Sequence, residues 1–363
     1  MKQNTIDQNL LFALMRIPSV SHDIPRVNDS VDCLRAYLEE RGVPCVEEAL
    51  HGRKILYAST LPGKVQDVLF NAHLDVVPAA PEQFEPRLEE ATGRLYGRGG
   101  ADCKGNVAVI VQLLLDNLGK TSLGAVFSTD EEIGGFTAAE MVRLGYGARK
   151  MVVIIDASAY KIAHAQKGVV SFRLRALGHG GHSSRPWEFD NPIDRLVDAY
   201  ARIRAAWKVD ESAPEHWYDS VAATMLRAGE AHNQIPDTAE MILNVRFTEP
   251  DGAESAERLF REAAGEGIEV THDPVSPPVF CDENHPEMQR LLAAMRRAWP
   301  EKNPCFYRMM GATDSRHFIS LGVPIAIIGT MGGAVHEPGE WALYENFNEV
   351  LGMLAEYLHE FRL

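Results

Sequence analysis

The chain has 363 residues, 45% of them hydrophobic and 24% charged, which is apolar enough for a sizeable core and excludes a disordered chain. Its net charge is −15, from 36 Lys+Arg against 51 Asp+Glu, and no run of basic residues with interleaved aromatics offsets it. A chain this acidic repels phosphate backbones, so nucleic acid is not an expected partner. No signal peptide is read at the amino end, and no apolar run reaches the ~20 residues that span a bilayer. The five cysteines (Cys33, Cys45, Cys103, Cys281, Cys305) are scattered and form neither a disulfide framework nor a thiolate zinc site. A cytoplasmic protein that does not engage membranes is expected.

In chain order, residues 10–15 and 31–40 carry helical periodicity, and 67–77 is an apolar strand run closed by Pro78. Residues 124–129 and 151–155 are short β-branched-rich runs of the kind buried in parallel sheets, and 106–118 between them is long enough for a buried helix. This alternation predicts an α/β fold, a mixed and mostly parallel sheet with helices on both faces. After Gly168 the pattern changes. Residues 169–177 and 239–247 alternate apolar and polar side chains, as half-buried antiparallel strands do, and helical stretches at 192–207 and 252–264 accompany them. The expected organisation is one domain formed by 1–167 and 276–363, with an inserted α+β domain over 168–275. The Pro-rich segment Asp273-Pro274-Val275-Ser276-Pro277-Pro278 is the expected return hinge. A helix at 287–299, an apolar strand at 323–328 and a helix from Tyr344 complete the chain.

Acids and histidines fall at the carboxyl ends of these strands, where open α/β sheets bind ligands. His73-Leu74-Asp75 would set an imidazole and a carboxylate on one strand face. Such a pair can ligate a metal through one ring nitrogen while the carboxylate holds the other, or be a hydrogen-bonded pair without metal. Thr129-Asp130-Glu131-Glu132 follows a strand with three adjacent carboxylates. Alone it reads as a solvated loop; beside a dication, one carboxylate can ligate while its neighbour serves as general base.

Gly97-Arg98-Gly99-Gly100-Ala101-Asp102-Cys103-Lys104-Gly105 is a glycine-dense loop opening a helix. It is not a dinucleotide fingerprint, because Asp102 stands where G-x-G-x-x-G needs glycine and no G-K-[ST] follows. That disfavours a nicotinamide-dependent enzyme. Asp156 closes the apolar run at 151–155. His336-Glu337-Pro338-Gly339-Glu340 is not the helical H-E-x-x-H of zincins, since Glu340 replaces the second histidine and Pro338-Gly339 would break a helix. Each motif alone has a plain structural explanation; their coincidence in one α/β frame does not.

In order and spacing, over nearly the whole chain, these motifs resemble the dinuclear-zinc metallopeptidase family twenty. That family includes aminoacylases, acetylornithine and succinyl-diaminopimelate deacylases, glutamate carboxypeptidases, and di- and tripeptidases. The resemblance implies a pair of zinc ions, with cobalt or manganese suiting the same nitrogen and oxygen donors. It implies His73 and Asp156 as ligands of one metal, Glu132 and His336 as ligands of the other, and Asp102 as the bridging carboxylate. Asp75 would orient His73, and Glu131 would be the catalytic acid/base. A zinc-exopeptidase-like catalytic domain is implied, with the inserted domain as a lid that mediates homodimerisation. His182, in Gly178-His179-Gly180-Gly181-His182-Ser183-Ser184-Arg185-Pro186, matches a lid histidine that reaches the partner's active site and helps to stabilise the oxyanion; His179 ranks below it. Asn233, Arg246, Thr313 and Arg316 match substrate-contacting positions, arginine being suited to a substrate carboxylate.

The implied reaction is hydrolysis of an amide bond in a small peptide or N-acyl amino acid. Within the family, Asp at the position of Asp156 goes with peptides bearing a free amino group, and Glu goes with carboxypeptidases and deacylases. That favours a di- or tripeptidase or an aminopeptidase, whereas the overall length and Gly311-Ala312-Thr313-Asp314-Ser315-Arg316 look more like the deacylase branch. A non-catalytic relative acting as a binding protein is the alternative of a different class.

Overall fold

The computed structural model describes residues 5–361. The chain divides into two compact units: one runs up to His164 and takes in Phe280–Tyr307 and everything from Thr313 on, the other comprises Ala165–Val279 and Arg308–Ala312.

The first unit is built on a nine-stranded mixed sheet. Its centre is four parallel strands in the spatial order Leu123–Ser128, Val65–His73, Gly147–Ser158 and Ile325–Thr330. Leu123–Ser128 and Ile325–Thr330 are buried at every position, and Met151–Ile155 forms the buried middle of its strand. Burial on both faces explains why these segments read as unbroken apolar runs rather than alternating ones. The flanks are antiparallel. A hairpin of Cys45–Leu50 and Arg53–Ser59 pairs with Leu123–Ser128 on one side, and Lys161–Gln166 meets Ile325–Thr330 on the other. The hairpin turns at His51-Gly52, both left-handed (φ 49° and 82°), the backbone that matches the twist of two short-linked strands.

Two boundaries differ from the sequence reading. The first long strand ends at His73 instead of continuing to residue 77, because its neighbour ends at Ser128 and offers no further partner. The backbone then turns to another segment, the Val76 N–H donating to the Ser19 carbonyl at 3.0 Å. The last core strand begins at Ile325, after Pro324, which has no N–H to donate but still accepts from Val152 N–H at 3.0 Å. Helix Gly105–Asn117 buries Val107, Val109, Ile110, Val111, Leu113 and Leu114 and packs against helix Tyr344–Leu358. Helix Ile24–Glu40 starts where Asp23 accepts the Arg26 N–H and a proline occupies the first turn.

The second unit is a four-stranded antiparallel sheet in the order Ser220–Ala228, Thr238–Phe247, Gly168–Leu177, Ile268–His272. One face of the central pair, carrying Val170, Phe172, Leu174, Met241, Leu243 and Val245, packs on helices Pro192–Ala206 and Gly252–Ala264 through Leu196, Ile203 and Phe260. The edge strand Ser220–Ala228 is exposed at each of residues 222–228, including Met225 and Leu226.

Candidate metal centre

All four parallel strands of the first unit deliver a polar side chain at or beyond their carboxyl ends. His73 is the last residue of its strand, Asp156 lies near the end of Gly147–Ser158, and Glu131–Ile133 is a single 3₁₀ turn after Leu123–Ser128. His336 follows Ile325–Thr330, on a hairpin whose arms Gly332–Gly333 and Trp341–Leu343 pair with each other. Asp102 comes from the turn that opens helix Gly105–Asn117.

Asp102 stands at the middle of the group. Its Oδ1 lies 2.9 Å from His73 Nε2, and its Oδ2 lies 3.0 Å from His336 Nε2. His73 Nε2 is also 3.9 Å from Asp156 Oδ1, and His336 Nε2 is 3.1 Å from Glu132 Oε1 and 3.0 Å from Oε2. Two donor groups result, His73–Asp102–Cys103–Asp156 and Asp102–Glu132–His336, each with its donor atoms within 4.8 Å of one another. They share Asp102.

The three adjacent acids after Leu123–Ser128 have separate fates. Asp130 turns inward and accepts the Thr137 N–H at 3.0 Å, holding the start of helix Phe136–Arg143. Glu131 is buried close enough to Asp156 to feel its charge, and Glu132 faces His336. The turn that separates them is anchored by Asp75, whose Oδ1 accepts the Glu131 N–H at 3.1 Å and whose Oδ2 accepts the Ser21 hydroxyl at 2.7 Å. Asp75 holds His73 differently from the sequence expectation: His73 Nδ1 donates to the Asp75 backbone carbonyl at 2.8 Å, and the carboxylate stands 3.4 Å away. That hydrogen bond makes Nδ1 a donor and turns Nε2 toward Asp156 and toward Asp102, to which it also donates.

Burial pushes the Glu131 carboxyl well above the usual range, and the neighbouring Asp156 pushes it further. Asp156 is raised in turn by burial and by Asp102, and Glu132 is pushed by burial up to about 7. Burial also works against an ionised Asp102, but hydrogen bonds from His336 and His73 prevail and hold it below its usual value. Donating to Asp102 in turn pushes His336 up to about 9. Several carboxyls crowded into one buried neighbourhood are unfavourable without compensating positive charge, which a dication supplies. The oxygen and imidazole donors fit one.

Sequence reasoning assigned no role to several residues that the structure places here. Ser21 carries no sequence signal at all. Asp314 sits in a motif quoted above; its Oδ2 accepts the Ser128 hydroxyl at 2.5 Å, and burial pushes it up to about 6. It packs so closely on Gly135, which is left-handed (φ 69°), that a Cβ there would come within 2.0 Å of Asp314 Oδ1. Cys103 joins the first donor group, and its Sγ accepts the His73 N–H at 3.1 Å.

Thr313 and Arg316 lie in the same unit as the cluster and are buried: the Thr313 hydroxyl caps the 3₁₀ helix Asp314–Leu321, and Arg316 Nη1 donates to the Thr313 carbonyl at 2.8 Å. His182, Asn233 and Arg246 belong to the other unit. There Gly181–His182 pairs with Gln234–Ile235, and the Ser183 N–H donates to the Asn233 carbonyl at 3.0 Å, so His182 and Asn233 are neighbours. His179 bridges instead to Asp190, and Arg246 Nε donates to Asn244 Oδ1 at 3.2 Å.

Imidazole and carboxylate donors gathered at the carboxyl ends of a parallel sheet, with a further buried carboxyl beside them, define a metal-dependent hydrolase. The chain belongs to Peptidase family M20/M25/M40, whose family model matches residues 69–360. It is 26% identical to a succinyl-diaminopimelate desuccinylase of Dinoroseobacter shibae over 96% of this chain and 97% of that protein. A succinyl-diaminopimelate desuccinylase of Gluconacetobacter diazotrophicus is 30% identical over 75% of each chain. Among solved structures, an M20 family metallo-carboxypeptidase of Sulfolobus solfataricus shares the fold with a TM-score of 0.80 at 17% identity, covering 97% of this chain and 99% of the other. Among the described residues no helix is long and apolar enough to cross a membrane.

Proposed function

We propose that this enzyme hydrolyses an amide bond in small peptides, as a di- or tripeptidase or aminopeptidase, with a pair of zinc ions held by His73, Asp102, Glu132, Asp156 and His336. The observation that carries this reading is the division of Asp102, with one oxygen 2.9 Å from His73 and the other 3.0 Å from His336. A carboxylate facing a different imidazole at each oxygen supports a role in holding two cations. Cations bound there would polarise the scissile carbonyl and acidify water.

The protein's own groups do the rest. Glu131, its proton affinity raised by burial and Asp156, takes a proton from water as the water oxygen attacks the carbonyl carbon. It then delivers that proton to the nitrogen as the C–N bond breaks. Asp75 fixes the His73 ring through its carbonyl and the Glu131 backbone through its carboxylate, so ligand and base keep one spacing. His182 would assist the oxyanion of a partner subunit's substrate. Its Nδ1 accepts the Ser184 N–H at 3.2 Å, so Nε2 is the nitrogen it would present. Asn233, Arg246, Thr313 and Arg316 are assigned to substrate contacts, and the exposed edge strand Ser220–Ala228 to a homodimer contact.

A second reading, an N-acyl-amino-acid deacylase, is favoured by the desuccinylase relatives, which match along most of their own length. Asp156 favours the peptidase reading. A panel pairing free-amino di- and tripeptides with N-acetyl and N-succinyl amino acids decides between them: cleavage of the free peptides is expected, and cleavage of the acylated amino acids alone would transfer the enzyme to the deacylase branch.

A further inference from the structure

His336 reaches the shared carboxylate from the tip of an exposed hairpin, where Ala334 and His336 itself have left-handed backbone (φ 53° and 64°) and the imidazole is half exposed. A tip of this kind does not by itself hold a ring in place. Beneath it lies a buried ion pair that spans the two loops carrying Asp102 and His336. Glu340, on the returning arm, accepts the N–H groups of Ala101 (3.0 Å) and Asp102 (3.2 Å) on Oε1 and Arg98 Nη1 (2.6 Å) on Oε2. The Arg98 side chain, 3% exposed, also donates from Nη2 to the Glu337 carbonyl, one residue beyond His336, at 3.4 Å. The Gly97 N–H donates to the Glu340 carbonyl at 3.0 Å, and a Cβ on Gly332 would meet the Ala101 Cβ at 2.6 Å. The hairpin and the Asp102 turn therefore touch backbone to backbone and are cross-linked by one carboxylate.

We propose, resting on the reading of Asp102, Glu132 and His336 as cation ligands, that Glu340 clamped by Arg98 is a positioning residue. It fixes the Asp102 carboxylate against the His336 hairpin and so governs the cation that these three residues bind. The residue type follows from its partners. An ionised carboxylate accepts two backbone N–H groups on one oxygen and a guanidinium on the other. An amide would have to turn its NH₂ toward one set of these donors. Removing one partner strands a buried charge, so the pair is suited to fixing geometry whether or not it adds net stability. The other cation shares Asp102 but keeps His73 and Asp156, which are carried by parallel strands and make no hydrogen bond to Glu340, so it depends less on the clamp.

The test is a calorimetric titration of the chelated full-length chain with Zn²⁺, comparing wild type, Glu340→Gln and Arg98→Lys. Wild type is expected to bind in two steps. Glu340→Gln should weaken one step by about 10–100-fold, the range for a residue that orients a ligand, and leave the other within about threefold. Arg98→Lys keeps the buried charge paired, so it provides a folded variant if Glu340→Gln does not fold. It loses the donor to Glu337 and should weaken the same step by a smaller factor. Unchanged binding in the folded variants, or equal weakening of both steps, overturns the positioning role while the ligand reading stands. A wild-type chain that binds no zinc overturns the ligand reading, and the positioning role with it.

Discussion

The carboxylate of Asp75 accepts the backbone N–H of Glu131 at 3.1 Å. The same residue takes His73 Nδ1 on its carbonyl and the Ser21 hydroxyl on its other oxygen, all in the buried interior. The histidine proposed as ligand and the acid proposed as base thus hang from one anchor. Asp75→Asn would turn an NH₂ group toward either the Glu131 N–H or the Ser21 hydroxyl. Both zinc affinity and kcat should fall by about 10–100-fold, measured by zinc titration and by steady-state turnover. Unchanged values for both would remove Asp75 from the site.

Glu131 is assigned the proton transfers and no cation. Glu131→Gln should therefore fold and bind zinc as wild type does, while kcat falls by about 10²–10⁴-fold. Near-wild-type turnover of this variant would sink the acid/base role, whatever its metal content.

Zinc should stabilise the chain more as pH rises. Burial pushes Glu132 up to about 7 and Asp314 up to about 6, and the Asp102 hydrogen bond pushes His336 up to about 9. A group whose pKa rises on folding stabilises the fold fully below its unfolded value, and that contribution disappears as pH climbs through the folded value. All three therefore act in one direction. His317, pushed down by burial to about 4 from 6.5, opposes them below its unfolded value, and Lys104, pushed down by burial to about 7 from 10.5, opposes them above about 7. Both act with zinc or without it, so the difference between zinc-saturated and chelated chain over pH 6.5 to about 9 isolates the three. Across that window the melting temperature of chelated protein should fall by a few degrees relative to that of zinc-saturated protein. Saturating zinc should flatten the curve, because a bound dication favours the ionised carboxylates. A gap between zinc-saturated and chelated protein that narrows over this window would contradict the assigned electrostatics.

The edge strand Ser220–Ala228 exposes Met225 and Leu226 on a row of unpaired backbone groups. If the proposed homodimer forms through this strand, replacing both with lysine should leave a monomer by light scattering. If His182 serves the partner subunit, that monomer and His182→Ala should lose kcat to a similar extent. Full kcat in His182→Ala would leave the dimer possible and remove its catalytic purpose.

The core was legible because its physics is local. Buried parallel strands are unbroken apolar runs, and the run Val68–Phe70 and that at Met151–Ile155 announce themselves without any partner being known. The strand Ser220–Ala228 was missed for the opposite reason: exposed along 222–228, it has no alternation to read. The hairpin before it in the chain turns at His51-Gly52, which is not among the strong turn dipeptides. The proposed metal ligands stand out in the sequence as motifs at strand ends, but no local pattern brings them to one carboxylate: His73 and His336 meet Asp102 from distant parts of the chain, and only the family resemblance names it as shared. Arg98 and Glu340 are 242 residues apart, and no local pattern joins them. The two glutamates and Asp130 look equivalent in sequence; only the position of Thr137 sorts the structural acid from its neighbours.

The most direct measurement is amide hydrolysis by chelated protein as zinc is returned stepwise, across the paired panel of free peptides and N-acyl amino acids. The cluster around Asp102 predicts no turnover in the chelated chain and recovery that saturates at two equivalents, lost in Asp102→Asn. Hydrolysis that persists without metal, or that survives in Asp102→Asn, would contradict a cation-bridging carboxylate at the centre of the chemistry.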